Sequence, residues 1–245
     1  MQWTALKDAR QRRSSITTIW LDLENAFGSV PHQLILFALR RYGVPEEWVT
    51  LIRFYYDGLW GRTTAGSVTS DWHKYEKGIF AGCTISVILF LAAFNVILEF
   101  VNQPKYPRYL LESGCGMQVS RAFMDDLMLM LRSLKDARLA LDCVIVALKW
   151  ARMNAKPGKS RSIVMVSGRV MRVEPFEVEG IIIPCIQRKP VRSLGRIIDH
   201  TLNDKSQRDA LTLEIDQAIG VLDKSFLTGT MKVWAYQFML LQKIG

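Results

Sequence analysis

The stretch SRAFMDDLMLML, residues 120–131, decides the fold assignment of this chain. Two adjacent carboxylates, Asp125 and Asp126, stand between apolar arms that are typical of buried β-strands. Because aspartate is a favoured turn residue, the pattern predicts a hairpin with the acids at its tip. Two unit charges about 4 Å apart repel by about 1 kcal/mol in water and by about 4 kcal/mol near a protein surface. The acids therefore indicate either a plain exposed turn or a site for a divalent cation, such as magnesium.

A third carboxylate, Asp22, ends another predicted strand. The segment SITTIWLDL, residues 15–23, is rich in β-branched residues, which favour strands. An aspartate at the end of a strand can project from the edge of a sheet. A two-ion site for phosphoryl transfer needs a carboxylate in addition to Asp125 and Asp126, and Asp22 could supply it. The alternative is that Asp22 only caps a turn or a helix.

The rest of the chain mixes helical and strand patterns without strict alternation, which predicts an α+β fold with an antiparallel sheet. Ser133 and Asp136 form a possible capping box at the start of one helix. Helices are predicted over 31–43, 45–58, 85–101, 133–154 and from about 206, with a break at 228–231. A hairpin is predicted over 59–80, and further strands over 163–166, 177–184 and 190–198.

Composition indicates a polyanionic partner. The 245 residues include 32 Lys and Arg against 23 Asp and Glu, a net charge of +9, which favours nucleic acid and, as an alternative, an anionic membrane surface. The four cysteines have no zinc-ligand spacing, so we expect reduced thiols in an intracellular protein, nuclear or cytoplasmic. The apolar run 85–101 is shorter than a membrane span and contains Asn95 and Glu99, so we expect a buried helix.

Several motifs together resemble reverse transcriptases, especially those of non-LTR retrotransposons. The palm motifs of that family are similar to LDLENAFGSVPH (21–32) and AFMDDLMLML (122–131). Its glycine-plus-helix motif resembles residues 78–98, its following basic motif resembles 149–166, and its primer-gripping strand pair resembles 191–199. The motifs occur in the family's order. The resemblance implies a palm with partial fingers over residues 1–205 and the beginning of a helical thumb over 206–245.

The resemblance also implies a reaction. Members of the family are RNA-directed DNA polymerases, which add dNTPs to the 3′-hydroxyl of a DNA primer on an RNA template. They use two Mg²⁺ ions, for which Mn²⁺ can substitute. Carried over to this chain, Asp22, Asp125 and the carbonyl of Leu23 would bind the ions, and Asp126 would be an outer ligand or an orienting acid. Nucleic acid, and not a membrane, would be the partner.

The remaining site residues follow from the same resemblance. Phe27 would pack beneath the incoming sugar and exclude a 2′-hydroxyl, although it could simply be a core residue. Ala81 and Gly82 would lie against the nucleotide, and Lys159, with Lys156 as its rival, would reach the triphosphate. Leu194 and Gly195 would form the turn that cradles the primer end. The residues that would contact backbone phosphates are Arg152, Arg161, Arg188, Lys189 and Arg192.

This chain departs from the family pattern at three places. Ala81 replaces a glutamine that helps hold template or nucleotide, and Gly28 replaces an aspartate that is not a metal ligand. Few residues precede the first motif, where the family has most of its fingers. Two other functions therefore stay open: a polymerase-like module that binds nucleic acid without catalysis, and a two-metal nuclease built from the three aspartates.

Overall fold

A five-stranded antiparallel sheet forms the centre of the first of two structural units. The computed structural model of the protein describes residues 2–80, 83–103 and 106–240. The strands are β1 (Ile16–Leu21), β6 (Ser120–Phe123), β7 (Asp126–Leu131), β8 (Arg161–Val166) and β9 (Arg169–Met171), in the order β6-β7-β1-β8-β9. Every residue of β1 is buried, as expected of a central strand. The predictions of an antiparallel sheet and of strands at 15–23 and around Asp125 are confirmed.

The register of the sheet brings the ends of distant strands together. Leu21, the last residue of β1, pairs with Leu127, the second residue of β7. On its other side β1 pairs with β8, where Trp20 lies opposite Arg161. The C-terminal end of β1 therefore lies beside the N-terminal end of β7.

Helices cover one face of this sheet. The helices of the first unit are α1 (Gln2–Gln11), α2 (Ala26–Ser29), α3 (His32–Arg41), α4 (Glu46–Asp57), α5 (Ser86–Val101) and α6 (Leu134–Trp150). Helix α6 packs on β1 and β7, α5 packs on α6 and β6, and α3 packs on α5. Ser133 is the N-cap of α6, since its hydroxyl accepts from the Asp136 amide at 3.1 Å and donates to the Asp136 carboxylate at 2.6 Å. The reciprocal bond of a capping box, from the Ser133 amide to that carboxylate, stays a prediction.

Helix α5 is the element predicted over 85–101, and its buried side chains recur at helical spacing. They include Phe90, Phe94, Ile97 and Val101, which belong to the main core. In the part of the chain that the structure describes, no helix has both the length and the apolar character needed to cross a membrane.

Helix α1 lies on the other side of β1 and is bonded to residues 109–112. The indole of Trp20 donates to the side chain of Gln2 at 3.0 Å. Asp8 accepts from the Tyr109 hydroxyl at 2.6 Å and from the Glu112 amide at 3.1 Å. Since alternate residues of a strand face opposite sides, Asp22 follows Trp20 on the face away from α5 and α6.

Shorter hairpins complete the first unit. The predicted hairpin over 59–80 consists of β2 (Trp60–Gly61) paired with β5 (His73–Lys74), and of β3 (Thr64–Ala65) paired with β4 (Val68–Thr69) between them. The segment predicted as a strand over 177–184 is a small hairpin of β10 (Glu177–Val178) and β11 (Ile181–Ile182).

The chain divides into two compact units, Met1–Lys189 and Pro190–Gly245. The second unit contains β12 (Val191–Ser193), β13 (Arg196–Ile198), α7 (Lys205–Lys224), α8 (Gly229–Ala235) and a π-helical turn, Tyr236–Leu240. The predicted helical break near 228 is confirmed between α7 and α8. Assignment of residues 1–205 to a palm and of 206–245 to a thumb stays a prediction.

Candidate active site

The tip of the β6–β7 hairpin is the first component of the site. Phe123 pairs with Asp126, so Met124 and Asp125 form a two-residue loop. Met124 has a φ of 57°, the left-handed conformation that tight hairpin loops require at their first position. Both acids are exposed, with Asp125 in the loop and Asp126 at the start of β7. Such a loop fixes where the Asp125 carboxylate lies relative to the buried strand behind it.

Asp22 is the second component, and it lies beside the hairpin tip. Continuing the pairing of Leu21 with Leu127 places Asp22 opposite Asp126, and Leu23 opposite Asp125. Asp22 is half-buried. Burial raises the pKa of its carboxyl, the nearby charge of Asp125 adds to that rise, and Lys159 and Lys156 oppose it. The strand register and the backbone bonds of residues 22–24 bring segments that are remote in sequence next to Asp22, and the direction of its pKa shift is consistent with that placement.

A basic turn (residues 156–160) holds Asp22 from its other side. The Lys156 amide donates to the Asp22 carbonyl at 2.7 Å, and the Glu24 amide donates to the Asn154 carbonyl at 2.9 Å. Leu23 lies opposite Ala155 between these two hydrogen bonds. In an antiparallel ladder, the N–H and C=O of such a residue point to the opposite side. The carbonyl of Leu23 is therefore directed away from the basic turn, on the side of the hairpin.

The donors at this place suit a hard cation. Two carboxylates and a backbone carbonyl are oxygen ligands, and magnesium usually binds through one or two carboxylates together with substrate phosphates. Across residues 2–80, 83–103 and 106–240, no group of three or more His, Cys, Asp or Glu side chains is placed to hold a metal ion. The structure brings the segments that carry Asp22 and Asp125 side by side. Binding of a metal ion by these residues and by Asp126 stays a prediction.

The basic turn brings both candidate lysines to the site. Lys156 and Lys159 are exposed, and the charge of each acts on the Asp22 carboxyl. The structure therefore does not choose between the two. Arg161 has a different environment, because it is buried and its guanidinium donates to the carbonyls of Gly158 and Ser160 at 2.9 and 2.6 Å. Those hydrogen bonds support the turn, and a contact of Arg161 with primer or template stays a prediction.

Phe27 lies between the core and an open cavity. Its ring stacks on Phe90 of α5 with centroids 4.4 Å apart, and the side chain is half-buried. It also lines a cavity of about 790 Å³ together with Gly28, Phe80 and Arg152. Phe27 therefore packs against the core and also borders a cavity that a ligand could enter.

Gly28 has a structural role that its sequence context did not indicate. Gly78 has a φ of +95°, and a Cβ added to it would lie 3.0 Å from the Gly28 carbonyl oxygen and 3.3 Å from the Gly28 Cα. The amides of Gly78 and Ile79 donate to the carbonyls of Val30 and Phe27, both at 2.8 Å. Gly78 therefore allows the segment before α5 to lie directly against the segment after Asp22, whereas a Cβ at Gly28 would clash with the side chain of Asn25.

Other predicted site residues have different outcomes. Ala81 and Gly82 lie outside the described residues. Leu194 and Gly195 form the two-residue loop of the β12–β13 hairpin in the second unit, with φ angles of 49° and 76°. Their turn is confirmed, and its contact with a primer stays a prediction, as do the phosphate contacts of Arg152, Arg188, Lys189 and Arg192.

Sequence reasoning missed two residues that organise the site. His32 is buried, stacks on Tyr56 with centroids 4.0 Å apart, and forms a hydrogen bond with the Gly78 carbonyl at 2.9 Å. Ser160 is buried and bonds the backbone of Asp22. The partners of His32 and Ser160 are distant in sequence, so no local pattern predicts these contacts. The only signals in the sequence are the position of His32 after Pro31 and that of Ser160 after Lys159.

Comparison of the sequence with known proteins identifies relatives of the chain. The family model described as "Reverse transcriptase (RNA-dependent DNA polymerase)" matches residues 2–198. The chain is 26% identical over 179 residues to a "Retrovirus-related Pol polyprotein from type-1 retrotransposable element R2" of Nasonia vitripennis, covering 71% of this chain and 17% of that protein. A protein of the same description from Popillia japonica is also 26% identical over 179 residues, which are 29% of its length. The chain thus spans less than a third of these relatives.

Proposed function

The chain belongs to the family of reverse transcriptases (RNA-dependent DNA polymerases), and from that membership we propose that it joins dNTPs to the 3′-hydroxyl of a DNA primer on an RNA template. The observation that supports this most strongly is the meeting of Asp22 and Asp125 beside two lysines. Asp22, Asp125 and the pair of lysines come from three different motifs of the chain. A reaction that brings together metal ions, a triphosphate and a hydroxyl needs this combination of charges.

In the proposed reaction, Asp22, Asp125 and the Leu23 carbonyl hold two divalent cations, with Asp126 as an outer ligand. Bound Mg²⁺ or Mn²⁺ would activate the primer hydroxyl and neutralise charge on the triphosphate. Lys156 or Lys159 binds the triphosphate or donates a proton to the departing pyrophosphate. The basic turn holds that ammonium group beside the two carboxylates before substrate arrives, which lowers the entropic cost of reaching the transition state.

The cavity beside Phe27 is the proposed place of the incoming nucleotide and its template base. It has a volume of about 790 Å³, and Lys77, Phe80 and Arg152 join Phe27 in lining it. Aromatic rings can stack on a base or sugar, and the cations can contact phosphate. Phe27, anchored on Phe90, would exclude a 2′-hydroxyl on steric grounds and favour dNTPs over NTPs.

Primer extension by an Asp125→Asn variant tests the function. On a primed RNA template with Mg²⁺, we expect extension to fall by more than about 100-fold, because even the indirect partners of metal ligands typically contribute 10- to 100-fold. Asp142→Asn, the same change at an exposed position of α6, is the matched control and should leave extension unchanged. Equal extension by Asp125→Asn and Asp142→Asn would contradict the proposed role.

A second candidate function is nucleic-acid binding without catalysis. Two observations favour it: Ala81 stands in the place of the family's glutamine, and among the described residues no group of three or more His, Cys, Asp or Glu side chains is placed to hold a metal ion. This function predicts binding of a primed template that weakens steeply with salt, with no incorporation in Mg²⁺ or Mn²⁺. Templated extension by the unaltered chain would exclude it. A nuclease would instead cut the labelled duplex in the same reaction.

A further inference from the structure

Ser160 joins the basic turn to the backbone of Asp22. Its hydroxyl accepts a hydrogen bond from the Asp22 amide at 3.1 Å and donates one to the Lys156 carbonyl at 3.0 Å. The residue is 1% exposed, so water does not compete for these bonds. From this geometry we infer that Ser160 is a positioning residue of the active site, which sets the two lysines of the turn against Asp22. The inference rests on the proposed function.

Both backbone groups of Asp22 bond to the same turn, one at each end of it. The Asp22 carbonyl accepts from the Lys156 amide at 2.7 Å, and the Asp22 amide donates to Ser160. The first bond belongs to the sheet-like pairing of residues 22–24 with 154–156. The second depends wholly on one hydroxyl group. Without that hydroxyl, the end of the turn that carries Lys159 loses its direct bond to Asp22.

Arg161 stabilises the same turn from the inside. Its buried guanidinium donates to the carbonyls of Gly158 and Ser160. The Lys159 and Ser160 amides also both donate to the Lys156 carbonyl, at 3.0 and 3.1 Å. The turn is thus a closed unit. Beyond it, β8 pairs with β1 from Arg161 onward, and Ser160 adds the bond that joins this end of the turn to Asp22 itself. Because a displacement of about 1 Å can slow a reaction by about 100-fold, this bond should matter to the rate.

The chain offers a matched control for removal of this hydroxyl. Ser162 is also fully buried, two residues further along, and its hydroxyl has no hydrogen-bond partner among the described residues. Ser160→Ala and Ser162→Ala therefore delete the same atom from the same neighbourhood, but only the first breaks a bond to Asp22. Ser160→Thr retains the hydroxyl and tests rescue.

Hydrogen exchange tests the contact independently of activity. We expect Ser160→Ala to speed exchange of the Asp22 amide by about tenfold or more, whereas Ser162→Ala leaves it unchanged and Ser160→Thr restores protection. Equal exchange of the Asp22 amide in both alanine variants would overturn the inference.

Single-nucleotide incorporation tests the positioning role. We expect Ser160→Ala to lower the rate at saturating dNTP by about 10- to 100-fold, with little change for Ser162→Ala and recovery in Ser160→Thr. In a background carrying Lys156→Ala and Lys159→Ala, the further loss should shrink to within about twofold, because the serine acts through these lysines. A loss of the same size in that background would show a merely structural role. If the unaltered chain incorporates nothing, the proposed function fails, while the exchange measurement still decides whether Ser160 holds the turn.

Discussion

The carboxyl of Asp22 is a candidate functional group that lowers the free energy of unfolding of the protein. Burial and the charge of Asp125 raise its pKa, so ionising this carboxyl costs more free energy in the folded chain than in the unfolded one. Lys156 and Lys159 compensate only in part. Natural proteins often retain such strain where function requires it. A bound divalent cation would relieve the repulsion between the two carboxylates.

Replacing Asp22 by asparagine should therefore stabilise the metal-free protein while removing its activity. A pKa raised in the folded state means that the ionised group destabilises the fold above that pKa, and asparagine carries no charge. The gain should be small, well below the ~1.4 kcal/mol that corresponds to one pKa unit, because the side chain is partly solvated. Urea unfolding at pH 7 measures it. Marked destabilisation by Asp22→Asn would contradict this electrostatic account.

Gly78 is a residue whose backbone is constrained by a close neighbour. Gly78→Ala should destabilise the protein by about 1–3 kcal/mol, because alanine must adopt a left-handed φ and also press on the Gly28 backbone. Gly66→Ala is the control, since Gly66 has a φ of +62° with nothing within 4 Å of its added Cβ. Thermal unfolding should show a larger loss for Gly78→Ala than for Gly66→Ala. Equal losses would mean that the approach of Gly28 carries no cost.

At the scale of elements, pairing of segments distant in sequence builds the site. The β6–β7 hairpin and the caps of α6 were predictable because their signals are local: turn residues between apolar arms, and Ser133 three residues before Asp136. The pairing of residues 22–24 with 154–156 was not predictable, since no local pattern specifies that the basic turn returns to Asp22. The same holds for Gly28 and Gly78, whose contact depends on how α2 and α5 pack.

Helix α1 is held to the segment 106–119 through one buried carboxylate. Burial raises the pKa of Asp8, but hydrogen bonds from Tyr109 and Glu112 and the charge of Arg12 outweigh it, so the pKa lies below its ordinary value of 3.8. A lowered folded-state pKa stabilises the protein above the ordinary value, and this contribution is lost as the pH falls toward the lowered one.

Asp8→Asn should therefore cost stability at pH 7 and progressively less below pH 3.8. Urea unfolding of the variant and the unaltered protein between pH 3 and pH 7 gives this difference. Asp71→Asn, at an exposed position of the 59–80 hairpin, is the control and should show no such convergence. A destabilisation by Asp8→Asn that stays constant down to pH 3 would show that the carboxylate charge is not responsible.

At the scale of the whole molecule, charge and fold agree on one class of partner. The net charge of +9 suits a polyanion, and the family of the chain acts on nucleic acid. The fold class was predictable because the strand and helix patterns are strong and the motifs occur in the family's order. Contact of Leu194 and Gly195 with a primer stays a prediction, because no local pattern in the sequence specifies how their turn approaches a ligand.

We propose that Asp22 and Asp125 bind the same divalent cations. Anomalous diffraction at the manganese edge, from crystals of the chain with primed template, a non-hydrolysable dNTP and Mn²⁺, tests it most directly. The account predicts manganese peaks within about 2.3 Å of oxygens from both carboxylates, with Asp22→Asn weakening them. Nucleotide bound with no manganese between Asp22 and Asp125 would contradict it.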